Sequence, residues 1–146
     1  MGLVWVGRLS SEPVAAERVR LAELLAQPER YEGRLVRVRG NYRYGFEWEE
    51  LYCDPMDKQK RVWLHLPVDA GDRLHRQLAR LPKGNGTIVA IFTGVWLTSG
   101  PYGHNGHPFG LQVVAVEDVK VVSKSSAFPE GMKDRERARL VKCSGD

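Results

Sequence analysis

The order of apolar patterns along the chain predicts a mainly β domain: a five-stranded Greek-key barrel with a helix between strands three and four and a short helix at the N-terminal side. Three observations carry this. A strand, turn and strand pattern fills Gly33 to Tyr52; a capped helical pattern lies between Asp69 and Leu81; and two long β-branched runs, Gly86 to Leu97 and Leu111 to Val122, follow it.

In the first predicted strand Val36, Val38, Tyr42 and Tyr44 share a face with Gly40, while Arg37, Arg39 and Arg43 take the other, the two-residue period of a half-buried strand. Gly40 in mid-strand suggests a bend or bulge at a barrel corner. Gly45 turns the chain into a second strand, about Glu47 to Cys53, with Leu51 and Cys53 on one face and Trp48, Glu50 and Tyr52 on the other. After the polar turn 54–58, Arg61 to Leu66 forms a third strand, Val62, Leu64 and Leu66 inward and Trp63 and His65 outward. Asp69 is the expected N-cap of the following helix, Leu74, Leu78 and Leu81 its buried face, and Pro82 and Gly84 its stop. The run from Gly86 to Leu97 is apolar enough to be buried on much of both faces. Residues 98–110, with Gly100, Gly103, Gly106, Gly110, Pro101 and Pro108, exclude a helix and predict a long shaped loop. Val38, Leu64, Ile91 and Val113 are expected in the core.

Ahead of the barrel, residues 1–16 read as an arm or extra edge strand. Residues 17–27 read as a short helix on the spacing of Leu21, Leu24 and Leu25, stopped by Pro28. Residues 123–146 read as a charged, solvated tail, dispensable for folding, leaving 17–122 as the domain. At 146 residues and 42% hydrophobic content the chain has material for one core. A net charge of +4 from 22 basic and 18 acidic side chains is a mixed surface. Cys53 and Cys143 match no metal-binding spacing; Cys53 reads as a small core residue, and one long-range disulfide remains open. No apolar run reaches membrane-spanning length and no complete signal peptide is visible, which predicts a soluble chain and favours the cytoplasm.

Three strands, a helix and two strands is the element order of the OB-fold. The stretch Leu21-Ala-Glu-Leu-Leu-Ala-Gln-Pro-Glu-Arg-Tyr-Glu-Gly-Arg-Leu-Val-Arg-Val-Arg-Gly40, with Gly103-His-Asn-Gly-His and the strand from Leu111, resembles small bacterial OB-fold proteins of uncharacterised function. The resemblance spans roughly residues 21 to 121 and implies a fold, not a substrate.

OB-folds meet ligands on the outer face of strands two and three, between the loop joining strands one and two and the loop joining strands four and five. The corresponding candidates are Arg39, Phe46, Trp48, Tyr52, Trp63, His65, Tyr102, His104 and His107, with Arg37, Arg43 and Arg61 supplying charge. Trp48, Trp63, His104 and His107 are expected to share one groove. Aromatic rings interleaved with basic residues suggest single-stranded nucleic acid. Glu47, Glu49 and Glu50 would repel phosphates there, and the competing reading is that the N-terminal arm or helix covers Trp48, Trp63 and Tyr52 as packing. His104 and His107 form His-x-x-His, which holds a metal only with further ligands, Glu47 and Asp54 being conceivable. No nucleophile elbow, phosphate loop, zinc-protease helix or dinucleotide fingerprint is present. The leading expectation is a non-catalytic binding or accessory module without a cofactor, with an oligonucleotide as first ligand. A protein-interaction or structural module and a metal-dependent enzyme using the histidine loop are the alternatives. Oligomeric state is open.

Overall fold

The computed structural model describes residues 15–45, 49–66, 84–124 and 131–144. The helix expected over 69–81, the candidates Phe46 and Trp48, and most of the N-terminal arm lie outside them. The elements are β1 (Glu17–Arg18), α1 (Leu21–Ala26), β2 (Leu35–Tyr44), β3 (Glu49–Tyr52), β4 (Val62–His65), β5 (Gly86–Leu97), β6 (Phe109–Ser123) and α2 (Asp134–Arg137). Short 3-10 turns cover Pro28–Tyr31 and Lys58–Lys60.

The five strands β2 to β6 close in the order β2-β3-β4-β6-β5, with β5 returning to pair with β2. These pairings are antiparallel except that of β4 with β6, which run parallel in register from Val62↔Phe109 to His65↔Gln112. This is a mainly β, closed, OB-fold-like barrel. Its interior holds the inward set expected from the two-residue period: Val36, Val38, Tyr42, Leu51, Val62 and Leu64, met by Ile88, Phe92, Trp96, Leu111 and Val113. Trp96 is fully buried, stacks on Phe109, and donates its indole N–H to the Pro28 carbonyl at 3.0 Å. A buried indole nitrogen needs such a partner.

The structure corrects several expectations. Residues 17–18 are a strand parallel to β2, so helix α1 begins only at Leu21. Val19 is buried and its amide donates to the Arg37 carbonyl at 3.1 Å, holding the backbone extended where helical periodicity suggests a turn. Gly40 marks no bulge, since β2 keeps unbroken register with β5 from Leu35↔Val95 to Tyr44↔Gly86. A Cβ there would meet Leu51 Cδ1 at 2.7 Å, so the missing side chain makes room for a core leucine. The irregularities fall between β5 and β6, one of them at Thr93/Gly94, and at Gly94 the Gln112 carbonyl occupies the space of a Cβ. Extra residues of this kind bend long strands around a barrel. Ile91 is half-buried and outward, because β5 alternates beyond Ala90.

The chain beyond β6 stays largely exposed over its described part 131–144, yet it is fastened to the barrel at several points. Leu140 is buried against Val89 and Val122, which explains why the first half of β5 is buried on both faces. The buried Asn41 side chain donates to the Val141 carbonyl at 3.1 Å and accepts from its amide at 2.8 Å, pairing with the segment as a strand edge would. Asp54 bridges Lys142, and Cys53 forms a disulfide with Cys143 across 90 positions. No helix among the described residues is long and apolar enough to cross a membrane.

Candidate ligand-binding site

Two features of the β2-β3-β4 outer face decide what a ligand can reach. The first is ionic. Antiparallel register sets Arg43 opposite Glu50 and Glu50 opposite Trp63. The Glu50 carboxylate takes the Arg43 guanidinium on one oxygen at 3.4 Å and His107 Nε2 on the other at 3.1 Å. Burial alone would push Glu50 up; the His107 hydrogen bond and the positive charges of His107, Arg43 and Arg61 outweigh it and hold the group below the ordinary glutamate value. Glu50 is therefore withdrawn from the surface, where the sequence places an exposed acid.

The second feature is the loop 98–108. Tyr102 and His107 exchange both backbone hydrogen bonds, at 2.8 and 2.7 Å, so the glycine-rich segment folds as a tight hairpin with Gly103 and Gly106 at φ of 69° and 65°. It is fastened flat on the barrel at three points. His107 is fully buried against Glu50, the Arg61 guanidinium donates to the Asn105 carbonyl at 2.9 Å, and the Gly103 backbone lies so close to the Trp63 ring that a Cβ would overlap it. The rings of His107 and His104 stand 5.4 and 6.2 Å from that of Trp63, the first buried and the second exposed.

The aromatic platform is thus only partly available. Tyr52 is buried, its hydroxyl pushed up to about 12 by burial and then by the nearby Asp54 charge, with Arg43 and Arg137 opposing. Trp63 is half-buried by the hairpin. Packing does cover these rings, and over Trp63 the described cover is the hairpin; most of the N-terminal arm expected there lies outside the described residues. His107 is committed to Glu50 and cannot offer its Nε2 to a solvent-side metal with His104. Asp54 is engaged by Lys142 at 3.1 Å and Arg137 at 3.6 Å. Among the described residues no three His, Cys, Asp or Glu side chains gather as metal ligands would.

Among the described residues a groove of about 240 Å³ stays open beside the hairpin, lined by Trp63, His65, Tyr102, Leu97, Gln112, Gly110 and Leu111. His65 is exposed at the end of β4. The Tyr102 ring packs on Gly110, and its hydroxyl accepts from the Ser99 amide at 3.0 Å, which fixes the ring at the groove wall. Glu49, in the adjoining strand, is raised mainly by burial, with His65, a Tyr42 hydrogen bond and His104 pulling the other way. Of the sequence candidates, Trp63, His65 and Tyr102 meet here, and His104 borders Trp63. Arg39 does not: it lines a separate cavity with Arg18, Arg20 and Lys142. Sequence reading misses Leu97 and Gln112, which only the β4-β6 and β5-β6 registers bring to this place, and Arg43-Glu50, which hairpin register could have revealed.

No protein-family model and no curated protein matches the chain. Among solved structures the chain is similar to an asparaginyl-tRNA synthetase from Pyrococcus horikoshii, a crystal structure complexed with asparaginyl-adenylate, at 19% identity and a TM-score of 0.44 over 84% of this chain. It spans 27% of that longer chain.

Proposed function

We propose that the chain is a non-catalytic OB-fold binding module and that single-stranded nucleic acid is its ligand, seated in the groove beside the glycine hairpin. The observation that carries this reading is the convergence of three rings, Trp63 and His65 from β4 and Tyr102 from the hairpin, on one open groove. Rings fixed by packing and hydrogen bonding give bases a stacking surface at low entropic cost, with each stacked base contributing about 1–3 kcal/mol. The objection from the acids of β3 weakens, since Glu50 is buried in an ion pair and turned away from any phosphate.

The test is a low-salt titration of a mixed-sequence single strand with the intact chain and with His65→Ala. His65 is exposed, so its removal should leave the fold intact and cost roughly five- to 150-fold in affinity. Trp63→Phe, which keeps a ring on the hairpin, should bind in between. Failure of the unaltered protein to bind DNA or RNA single strands at low salt contradicts the reading.

A further inference from the structure

A second cavity, about 150 Å³, shares no lining residue with the ring groove and lies where β1, the start of α1, β2 and the C-terminal segment meet. Its charged lining is entirely basic: Arg18, Arg20, Arg39 and Lys142. The backbone explains the convergence. Val19 turns into the core, so in the extended chain Arg18 and Arg20 project together to the other side, and Arg39 stands on the outward face of the neighbouring strand.

Three of these four charges are not spent internally. Lys142 reaches Asp54 at 3.1 Å and the Arg137 carbonyl at 3.0 Å, and Arg37, one outward step before Arg39, is consumed by Glu117 at 2.7 Å. By contrast, Arg18, Arg20 and Arg39 have no hydrogen-bond or ion-pair partner for their side chains among the described residues. Three unneutralised guanidiniums held in one concavity repel one another, and a multivalent oxyanion relieves that repulsion while accepting their forked donors. The disulfide between Cys53 and Cys143 forms part of the wall and fixes Lys142 at its edge.

We infer that this cavity is a phosphate-binding site, coordinated by Arg18, Arg20 and Arg39. Its phosphate comes either from a free or terminal phosphate group or from the diester backbone of a nucleic-acid strand. The site is read independently of the ring groove, because inorganic phosphate cannot stack.

The experiment titrates the intact chain with inorganic phosphate, using chloride at equal ionic strength as reference, and follows both binding heat and Tm. Phosphate should raise Tm where chloride does not. Arg39→Ala and Arg20→Ala, both at exposed positions, should each weaken phosphate binding tenfold or more with an unchanged circular dichroism spectrum. Lys120→Ala, an exposed cation on β6, should bind as the unaltered protein does. Competition with a single strand lacking terminal phosphate identifies the source: displacement of phosphate assigns the site to a diester backbone, and co-binding assigns it to a free or terminal phosphate. The inference is overturned if phosphate acts no differently from chloride, or if its effect survives Arg39→Ala.

Discussion

Glu50 shows how far a side chain's role can depart from its place in a two-residue pattern. Outward residues of a strand read as solvent-facing, yet the hairpin 102–107 descends on this face and buries the carboxylate between Arg43 and His107. Removing one partner of such a buried set leaves the others uncompensated, so Glu50→Ala should cost about 3 kcal/mol in urea unfolding at neutral pH. The pH dependence has a definite sign. With its folded value below the ordinary 4.5, Glu50 contributes its full stability above that value and loses it as pH falls through the lower folded one. The stabilities of the unaltered protein and Glu50→Gln should therefore converge at acid pH and separate toward neutrality; a gap that widens on acidification contradicts the assignment. Gly103 is the second residue-scale test. At φ of 69° with its backbone on Trp63, it has neither the conformation nor the space for a side chain, and Gly103→Ala should destabilise the hairpin by about 1–3 kcal/mol, seen as a lowered Tm and a shifted tryptophan emission. The His107 and Trp63 contacts join residues far apart in the chain, which is why the sequence shows at most the Arg43 half of the Glu50 pairing and nothing of the Gly103 contact.

At the scale of elements, local patterns served where one face of a strand was decisive. The inward sets of β2 and β4 are those that alternation predicts. They failed where another segment covers the outward face. The second apolar stripe of β5, through Val89, exists because Leu140 packs there, and nothing in the charged run 133–142 announces that. The single apolar Leu140-Val141 pair, Asn41 and the two cysteines do the fastening. Breaking the disulfide by Cys143→Ser removes a 90-residue cross-link and should cost about 2–4 kcal/mol. Ending the chain after Lys124 should cost more, since it also strips Asn41 of both hydrogen bonds and exposes Val89. Thermal unfolding of the two variants checks this; a truncated chain with unchanged Tm would mean that the segment contributes nothing to the barrel.

For the whole molecule, the number and order of strands were enough to predict a closed barrel, because each long run had to bury a face and the two short helical patterns could not cover them all. What the order could not supply was the state of the outer face, where the loop after β5 lies down over Trp63 and Glu50 and, among the described residues, borders a groove. The proposed function has this groove take the bases of a single strand. Amide chemical-shift mapping at low salt, with a short mixed-sequence single strand added to the intact chain, reads this contact residue by residue. Changes should centre on residues 63–65, 97–103 and 110–112, with or without a second focus at the arginine cavity around Arg18, Arg20 and Arg39. An absence of changes at saturating strand, or changes confined to surfaces away from Trp63, His65 and Tyr102, would contradict it.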